Sequence, residues 1–180
     1  MDNTQGIIHL ALCTGYDGIG VGLGLCGLDI SLTIAVEIAA FAVQNRVKKP
    51  EKGYMAARAI WPDIKTFPSE TFSGQIDILS AGFPCQPFSA SGKRAADEDE
   101  RHIFPDILRS IGIIRPRFVF LENVEGILSA ELQGDGWNDP PGTPVLLHCL
   151  RELERRGYTA VWGIFSAEEV GAPHRRRRVF

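Results

Sequence analysis

The sequence predicts an α/β fold with a mostly parallel sheet, and two observations support this prediction. Short apolar runs rich in Ile, Val and Phe recur along the chain, and segments with helical spacing separate them. Strands that alternate with helices form parallel sheets. The predicted strands are Ile7 to Leu12, Leu32 to Val36, Ile76 to Ser80, Phe118 to Leu121 and Ala160 to Phe165. The predicted helices are Ile19 to Gly27, Ala39 to Lys48, Ile103 to Ile114, with Pro105 in the first turn or at a kink, and Val145 to Arg156.

The bulk composition is that of one globular domain over residues 1–180. The chain is 44% hydrophobic and 23% charged, which excludes a disordered or collagen-like protein. Its first ten residues lack the basic start and apolar segment of a secretory signal, and no apolar run reaches the roughly 20 residues of a membrane helix. We therefore expect a soluble, cytoplasmic protein without membrane association.

Cysteine spacing and charge narrow the function further. The four cysteines are widely scattered, without a C-x-x-C pair or matching histidines, so neither disulfides nor a metal site is expected. The net charge of −3 conceals an acidic run, Asp97 to Glu100, and a basic run, Arg175 to Arg178. Any site for a polyanion must therefore be local.

The first predicted strand is followed by a turn suited to a cofactor. In Cys13-Thr14-Gly15-Tyr16-Asp17-Gly18, the glycines let the backbone turn sharply and approach a ligand at the carboxyl end of the strand. A tight connection without a ligand is the alternative. The literal G-x-G-x-x-G match from Gly22 to Gly27 begins too far beyond the strand for a dinucleotide fingerprint, so it predicts helix packing and a helix end.

Cys85 is the predicted nucleophile. It stands between Pro84 and Pro87, directly after a predicted strand, and prolines hold the residues before them extended, so the thiol is presented on a rigid turn. The segment 87–100 that follows is long enough to be a mobile loop that closes over a substrate. A solvated acidic loop explains its composition equally well.

Three further predicted strands end in charged residues. Glu37 follows the second strand, where a carboxylate can accept hydrogen bonds from ribose hydroxyls, and Glu122 follows the apolar strand Phe118 to Leu121. In the basic run, an extended backbone places Arg176 and Arg178 on one face, and the apolar Val179 that follows favours a strand there. Solvated strand ends and a basic tail are the alternatives.

Taken in order, these segments resemble the cytosine-C5 DNA methyltransferases from about Ile8 to Phe180. Gly82-Phe83-Pro84-Cys85-Gln86 is similar to the Gly-Phe-Pro-Cys-Gln signature of the family, and Glu122-Asn123-Val124 to its Glu-Asn-Val motif. The segment Pro173 to Arg178 resembles the Pro-Gln-x-Arg-x-Arg motif, with His174 in place of Gln. Asp17 stands where the family has a glycine. The resemblance implies a Rossmann-like methyltransferase fold that uses S-adenosylmethionine.

The resemblance also implies roles for individual residues. Cys85 would attack C6 of a cytosine flipped out of DNA, Glu122 would hold N3 of the ring, and Arg176 and Arg178 would anchor the nucleotide. The methyl group would pass to C5, without a metal. The implied cofactor-binding residues are Thr14, Gly15, Tyr16, Gly18, Glu37, Asp63 and Pro84.

Members of the family continue beyond the arginine motif into a target-recognition domain, which residues 1–180 lack. The prediction is therefore the catalytic portion of a restriction-modification type methyltransferase, split or truncated, with a second chain as a candidate source of target recognition. Two alternatives stay open. One is an inactive cofactor-binding relic or regulatory subunit, and the other is a methyltransferase that acts on cytosine in RNA.

Overall fold

The computed structural model describes residues 6–48, 57–84, 103–133 and 137–180 of the chain. The strands are Ile7–Leu12 (β1), Ile30–Val36 (β2), Ala57–Trp61 (β3), Ile78–Gly82 (β4), Phe118–Val124 (β5), Ile164–Phe165 (β6) and Arg178–Val179 (β7). The α-helices are Gly18–Leu25 (α1), Ala40–Lys48 (α2), Phe104–Ile114 (α3) and Val145–Arg155 (α4). Four short 3₁₀ helices, at Ile64–Thr66, Ser69–Phe72, Glu125–Leu128 and Ala167–Val170, complete the described elements.

The chain divides into two compact units, residues 1–82 with 109–121 and residues 83–108 with 122–180. In the first unit, β1 pairs in parallel with β2 and β4, and β2 pairs in parallel with β3. In the second, the end of β5 pairs antiparallel with β7, which pairs antiparallel with β6. The strand order of the seven-stranded sheet is β3-β2-β1-β4-β5-β7-β6, so the predicted, mostly parallel α/β fold is confirmed.

The core of the first unit is built around β1, which has a strand on each side. Leu10, Ala11 and Leu12 are almost completely buried, as expected for a central parallel strand covered on both faces. A buried polar pair of this core, His9 on β1 and Ser80 on β4, is joined by a hydrogen bond of 2.8 Å. This bond gives Nε2 of His9 and the hydroxyl of Ser80 a partner in apolar surroundings, where an unsatisfied polar atom is costly.

In the second unit, α4 packs through one face of the helix. Val145, Cys149 and Leu153 recur at a spacing of four residues and are buried, which places them on the same side of the helix. Other buried apolar residues of this unit are Phe104, Ile107, Ile127, Leu132 and Val179.

The predicted helices and most of the predicted strands are confirmed, with small shifts of their ends. Pro105 lies in the first turn of α3, which is one of its two predicted placements. The glycine pattern from Gly22 to Gly27 is only half explained. Gly27, at φ 80°, ends α1 as predicted, but a Cβ at Gly22 would meet nothing within 4 Å among the described residues, so close helix packing is not observed there.

Two elements differ from the sequence-based prediction. The strand β3 was not predicted, because its sequence Ala-Arg-Ala-Ile-Trp has little of the β-branched pattern by which the other strands were recognised. The predicted strand Ala160 to Phe165 is reduced to the two residues of β6. Within the described part of the chain, no helix has the length and apolar character needed to cross a bilayer.

Candidate functional site

The turn after β1 is held in an unusual backbone conformation. Cys13, Gly15 and Asp17 have φ values of 52°, 47° and 58°. This left-handed region is uncommon for residues other than glycine, and such strained loops cluster at binding sites. The turn therefore needs stabilising contacts from outside itself.

Glu37 supplies one of those contacts. Its Oε2 accepts a hydrogen bond from the backbone N–H of Gly15 at 2.7 Å, and its Oε1 accepts one from the N–H of Ala39 at 2.8 Å. The side chain is buried and ties the turn after β1 to the segment after β2. The structure thus brings together two of the predicted cofactor-binding residues, Gly15 and Glu37.

The unusual Asp17 has a structural explanation in α1. It is the N-cap residue of that helix, buried, with its Oδ1 accepting from the N–H of Gly20 at 3.0 Å. A Cβ on Gly20 would lie 2.6 Å from Cγ of Asp17, so the helix needs glycine at that position. Asp is tolerated at a left-handed φ better than most residues, and its carboxylate offsets the positive end of the helix.

Three other predicted cofactor-binding residues, Thr14, Tyr16 and Gly18, lie within the turn after β1 or directly after it. The Oγ1 atom of Thr14 is buried and has no hydrogen-bond partner in the part of the chain that the structure describes. Tyr16 is 57% exposed and meets Phe41 edge to face at 6.4 Å between ring centroids, while Gly18 is exposed at the start of α1. A buried hydroxyl without a partner and an exposed aromatic ring fit a nucleoside cofactor with polar groups and an adenine face.

Asp63, the last predicted cofactor residue of this unit, follows β3. It caps the 3₁₀ helix Ile64–Thr66, with its Oδ1 accepting from the N–H of Lys65 at 2.9 Å. The carboxylate is only partly buried, so its remaining lone pairs can accept further hydrogen bonds.

In the second unit, Phe83 and Pro84 form the last described residues before a gap. Phe83 is buried, and its carbonyl oxygen accepts a hydrogen bond from Nδ2 of Asn123 at 3.0 Å; Pro84 is exposed. The predicted nucleophile Cys85 and the predicted loop 87–100 lie outside the described residues. The contact nevertheless links two of the sequence motifs, because Asn123 directly follows Glu122.

Glu122 and Arg178, both predicted catalytic residues, form an ion pair. Nε of Arg178 lies 2.7 Å from Oε1 of Glu122, and both side chains are largely buried. The neighbouring Arg177 pairs with Glu125 at 2.6 Å in a more exposed position. Pairing with a guanidinium fixes the orientation of the Glu122 carboxylate.

The predicted alternation of the arginines is wrong for Arg176. Its φ of 36° is left-handed, so the run from His174 to Arg178 is not continuously extended and only Arg178 belongs to a strand. The hairpin from Ser166 to Arg175 explains the difference. The N–H of Ala167 and the hydroxyl of Ser166 both donate to the carbonyl of Arg175, which bends the chain just before Arg176.

Sequence reasoning missed a buried charge network in the second unit. Asp139 accepts hydrogen bonds from His148 at 2.7 Å and from Arg151 and Arg155, and Glu152 is paired with Arg155 and with Arg156. The hydrogen bond from Arg155 is the main cause that holds the pKa of Asp139 well below its usual range, against the opposing effect of burial. Burial opposes the ionised form of Glu152 too, but bonds from Asn138, Arg156 and Arg155 lower its pKa.

Asp139, His148 and Glu152 lie close enough to share a cation, with ligand atoms within 4.8 Å of one another. Their carboxylates are already bonded to arginines, which favours an ion-pair network over a metal site. The spacing of His148, Arg151, Arg155 and Arg156 along one helix was the available sequence signal. The partner Asp139 lies in a loop that gives no such signal.

Solved structures place the fold in a known class. The Dnmt2 methyltransferase of S. pombe superposes with a TM-score of 0.71 at 23% identity, over 96% of this chain and 49% of that one. At this identity the likeness concerns the fold alone. The protein therefore has the fold of the S-adenosylmethionine-dependent methyltransferases, as predicted.

The sequence comparison is more specific. The model of the C-5 cytosine-specific DNA methylases matches residues 9–180, and the chain belongs to that family. It is 31% identical over 171 residues to the type II methyltransferase M.NgoMIV of Neisseria gonorrhoeae, and 26% over 174 residues to M.NaeI of Lentzea aerocolonigenes. It covers 94% and 97% of its own length in these matches, but 49% and 39% of the relatives. Family membership confirms the predicted cofactor, S-adenosylmethionine.

Proposed function

We propose that this chain is the catalytic portion of an enzyme that transfers a methyl group from S-adenosylmethionine to C5 of cytosine in DNA. The main support from its geometry is the 2.7 Å ion pair between Glu122 and Arg178, which unites two of the family's sequence motifs. The relatives named above are type II methyltransferases. Because the chain spans half of their length or less, target recognition is assigned to a region or second chain beyond residues 1–180.

In the proposed reaction, the thiolate of Cys85 forms a bond to C6 of the cytosine, and the electron pair of the C5–C6 double bond moves toward C5. Glu122 shares a proton with N3 and so stabilises the ring as this charge develops, and Arg178 orients both the carboxyl group and the nucleotide. Bound S-adenosylmethionine would supply an electrophilic methyl group on a sulfonium sulfur: C5 would bond to that methyl group as the carbon–sulfur bond breaks, and the sulfur would keep the electron pair as a neutral thioether. Loss of the C5 proton to a base then restores the double bond and expels the Cys85 thiolate.

The cofactor is assigned to the first unit. Thr14, with its unpartnered buried hydroxyl, is a candidate hydrogen-bond donor, and Glu37 holds the turn that would carry the cofactor. Tyr16 offers a ring face, Asp63 a partly exposed carboxylate, and Gly15 and Gly18 leave the backbone free of side chains. Pro84 is assigned to the site only by its place before Cys85. Arg176 is assigned to the phosphate backbone, for which an exposed guanidinium suffices.

Covalent trapping tests this proposal. A single-stranded DNA oligonucleotide containing 5-fluorocytosine is incubated with S-adenosylmethionine and the chain. A base cannot remove fluorine from C5 as it removes the C5 proton, so the covalent adduct is trapped. The single strand is used because its bases need not be flipped out of a duplex. We expect a covalent adduct that is lost in Cys85→Ser and retained in the control Cys26→Ser, which removes an exposed thiol elsewhere in the chain. An adduct that persists in Cys85→Ser would show that the nucleophile is wrong.

Calorimetry separates the alternatives. Binding of S-adenosylmethionine without any adduct, on DNA and on RNA, would favour a regulatory cofactor-binding protein. An adduct on RNA but not on DNA would assign an RNA substrate. Binding of neither cofactor nor nucleic acid would overturn the proposal.

A further inference from the structure

Phe83, which lies two residues before Cys85 in the sequence, is held by two independent contacts. Its backbone oxygen accepts the bond from Asn123, and its ring stacks on Phe104 with 4.9 Å between centroids and 28° between planes. The exposed fractions of the Phe83 and Phe104 side chains are small, and Phe104 is among the most deeply buried large side chains of the chain. One contact fixes the main chain at Phe83, and the other fixes the direction of its side chain.

Phe104 is in turn supported by the buried charge network. It meets the His148 ring edge to face at 6.0 Å, and His148 is fixed on its other sides by the hydrogen bond to Asp139 and by Trp137, whose ring lies 5.3 Å away. Asp139 is held by two arginines of α4. The ring that supports Phe83 therefore rests on a side chain with very little freedom of its own.

We propose that Phe104 is a positioning residue that orients the segment Phe83–Pro84 relative to Glu122. The reason is geometric: Asn123, the residue after Glu122, donates to the same Phe83 that Phe104 stacks against, so the two contacts together determine where this segment lies with respect to the carboxylate. Neither Phe104 nor His148 is assigned to the reacting groups. The catalytic part of this inference rests on the proposed function; the structural part does not.

The test compares two substitutions on one helix. Phe104→Leu removes the stacked ring but keeps the position apolar, and Ile107→Val removes buried apolar atoms one turn further along α3 without touching the stack. Both lower the melting temperature by a few degrees. Hydrogen exchange measured by mass spectrometry on the segment 78–84 then reports on the order of Phe83–Pro84 and the strand before it, and this measurement does not require activity.

We expect exchange in that segment to be about tenfold faster in Phe104→Leu than in Ile107→Val. Without the Phe104 ring, the segment can open without first breaking the stacking contact with Phe83. The rate of adduct formation at saturating S-adenosylmethionine should fall about tenfold in Phe104→Leu alone, while the dissociation constant of the cofactor stays within about twofold. Such a split between rate and cofactor affinity is not expected from general destabilisation.

The two parts fail separately. Equal exchange in both variants would overturn the positioning role, whatever the protein's activity. Faster exchange with an unchanged adduct rate would show that Phe104 orders the segment Phe83–Pro84 but does not affect the rate of the reaction. If the unsubstituted chain forms no adduct, the proposed function fails, and the exchange experiment alone decides whether Phe104 positions this segment.

A double-mutant cycle provides an independent check. Asn123→Ala removes the second contact on Phe83, and it should couple to Phe104→Leu, because both contacts act on one residue. We expect the effect of the double variant on exchange at 78–84 to differ from the product of the single effects by at least about threefold. Independent, multiplicative effects would contradict the proposal.

Discussion

The most informative substitution in the first unit is Glu37→Gln. The carboxylate accepts hydrogen bonds from the N–H groups of Gly15 and Ala39, at 2.7 and 2.8 Å, from a buried position. An amide has one oxygen, so it can keep only one of these bonds and turns an NH₂ group toward the other donor. A hydrogen bond to a charged group contributes about 1.5–3 kcal/mol, and this is the expected cost of the substitution.

Part of that cost should appear as weaker cofactor binding. If the turn carrying Gly15 loses its order, binding must restore it; the whole cost of about 1.5–3 kcal/mol would raise the dissociation constant about 10- to 150-fold, so we expect an increase up to that limit. Isothermal titration with S-adenosylmethionine measures this change, and urea unfolding measures the change in the free energy of unfolding.

Asp77→Asn is the matched control. Asp77 Oδ2 accepts from the backbone N–H of Ile8 at 2.8 Å, at the opposite end of β1 from the turn. Asn can keep this bond through its amide oxygen, so the variant should lose less stability than Glu37→Gln and should leave the cofactor dissociation constant unchanged. A Glu37→Gln variant that binds as tightly as the unsubstituted chain, or an equal loss of affinity in Asp77→Asn, would refute the assignment of Glu37 to the cofactor turn.

Three further predictions concern stability. Arg155→Met should cost about 2–3 kcal/mol in urea unfolding, because it removes a partner from two buried carboxylates; a cost below about 0.5 kcal/mol would mean that the network is not stabilising. The lowered pKa of Asp139 makes its contribution complete at neutral pH and progressively lost below about pH 5, so Asp139→Asn should flatten the fall of stability between about pH 5 and 2, and an unchanged slope would contradict this. Gly20→Ala should destabilise by about 0.5–2 kcal/mol through the Asp17 cap, whereas Gly22→Ala, with open space at its Cβ, should stabilise by up to about 1 kcal/mol; the reverse order in thermal unfolding would disprove the cap.

Local patterns explain why most of the fold could be predicted. β1 and β2 each end in a short apolar run, Leu10 to Leu12 and Ile34 to Val36, that is buried on both faces, and α4 shows its buried face as a four-residue spacing. β3 lacks such a pattern, since its strand is defined by pairing with β2 rather than by its own side chains. At the antiparallel end, the apolar run that ends at Phe165 and the apolar Val179 indicated strands, but no local pattern indicates that β6 and β7 pair antiparallel.

The candidate site likewise contains residues that the sequence identified and features that it did not. Sequence identified Glu37 and Glu122 because each follows an apolar strand, and ligand-binding residues of α/β folds commonly lie at the carboxyl ends of strands. It did not show that Glu37 holds the turn after β1, or that Arg176 is left-handed. These features depend on contacts between residues distant in sequence or on a bend at Arg175, which no pattern within the run itself encodes.

The pairing of Arg178 with Glu122 depends on a residue that has no chemistry of its own. Within four consecutive arginines, a strand shifted by one residue would present an equally basic sequence, so the run cannot determine its own register. Val179 does so: it is buried, opposite Asn123 on β5 and Ile164 on β6. A shift by one residue toward the basic run would bury Arg178 in its place, at a cost of several kcal/mol, and would move Arg178 away from the face on which it meets Glu122. The apolar residue after the basic run thus selects which of the four arginines meets the carboxylate.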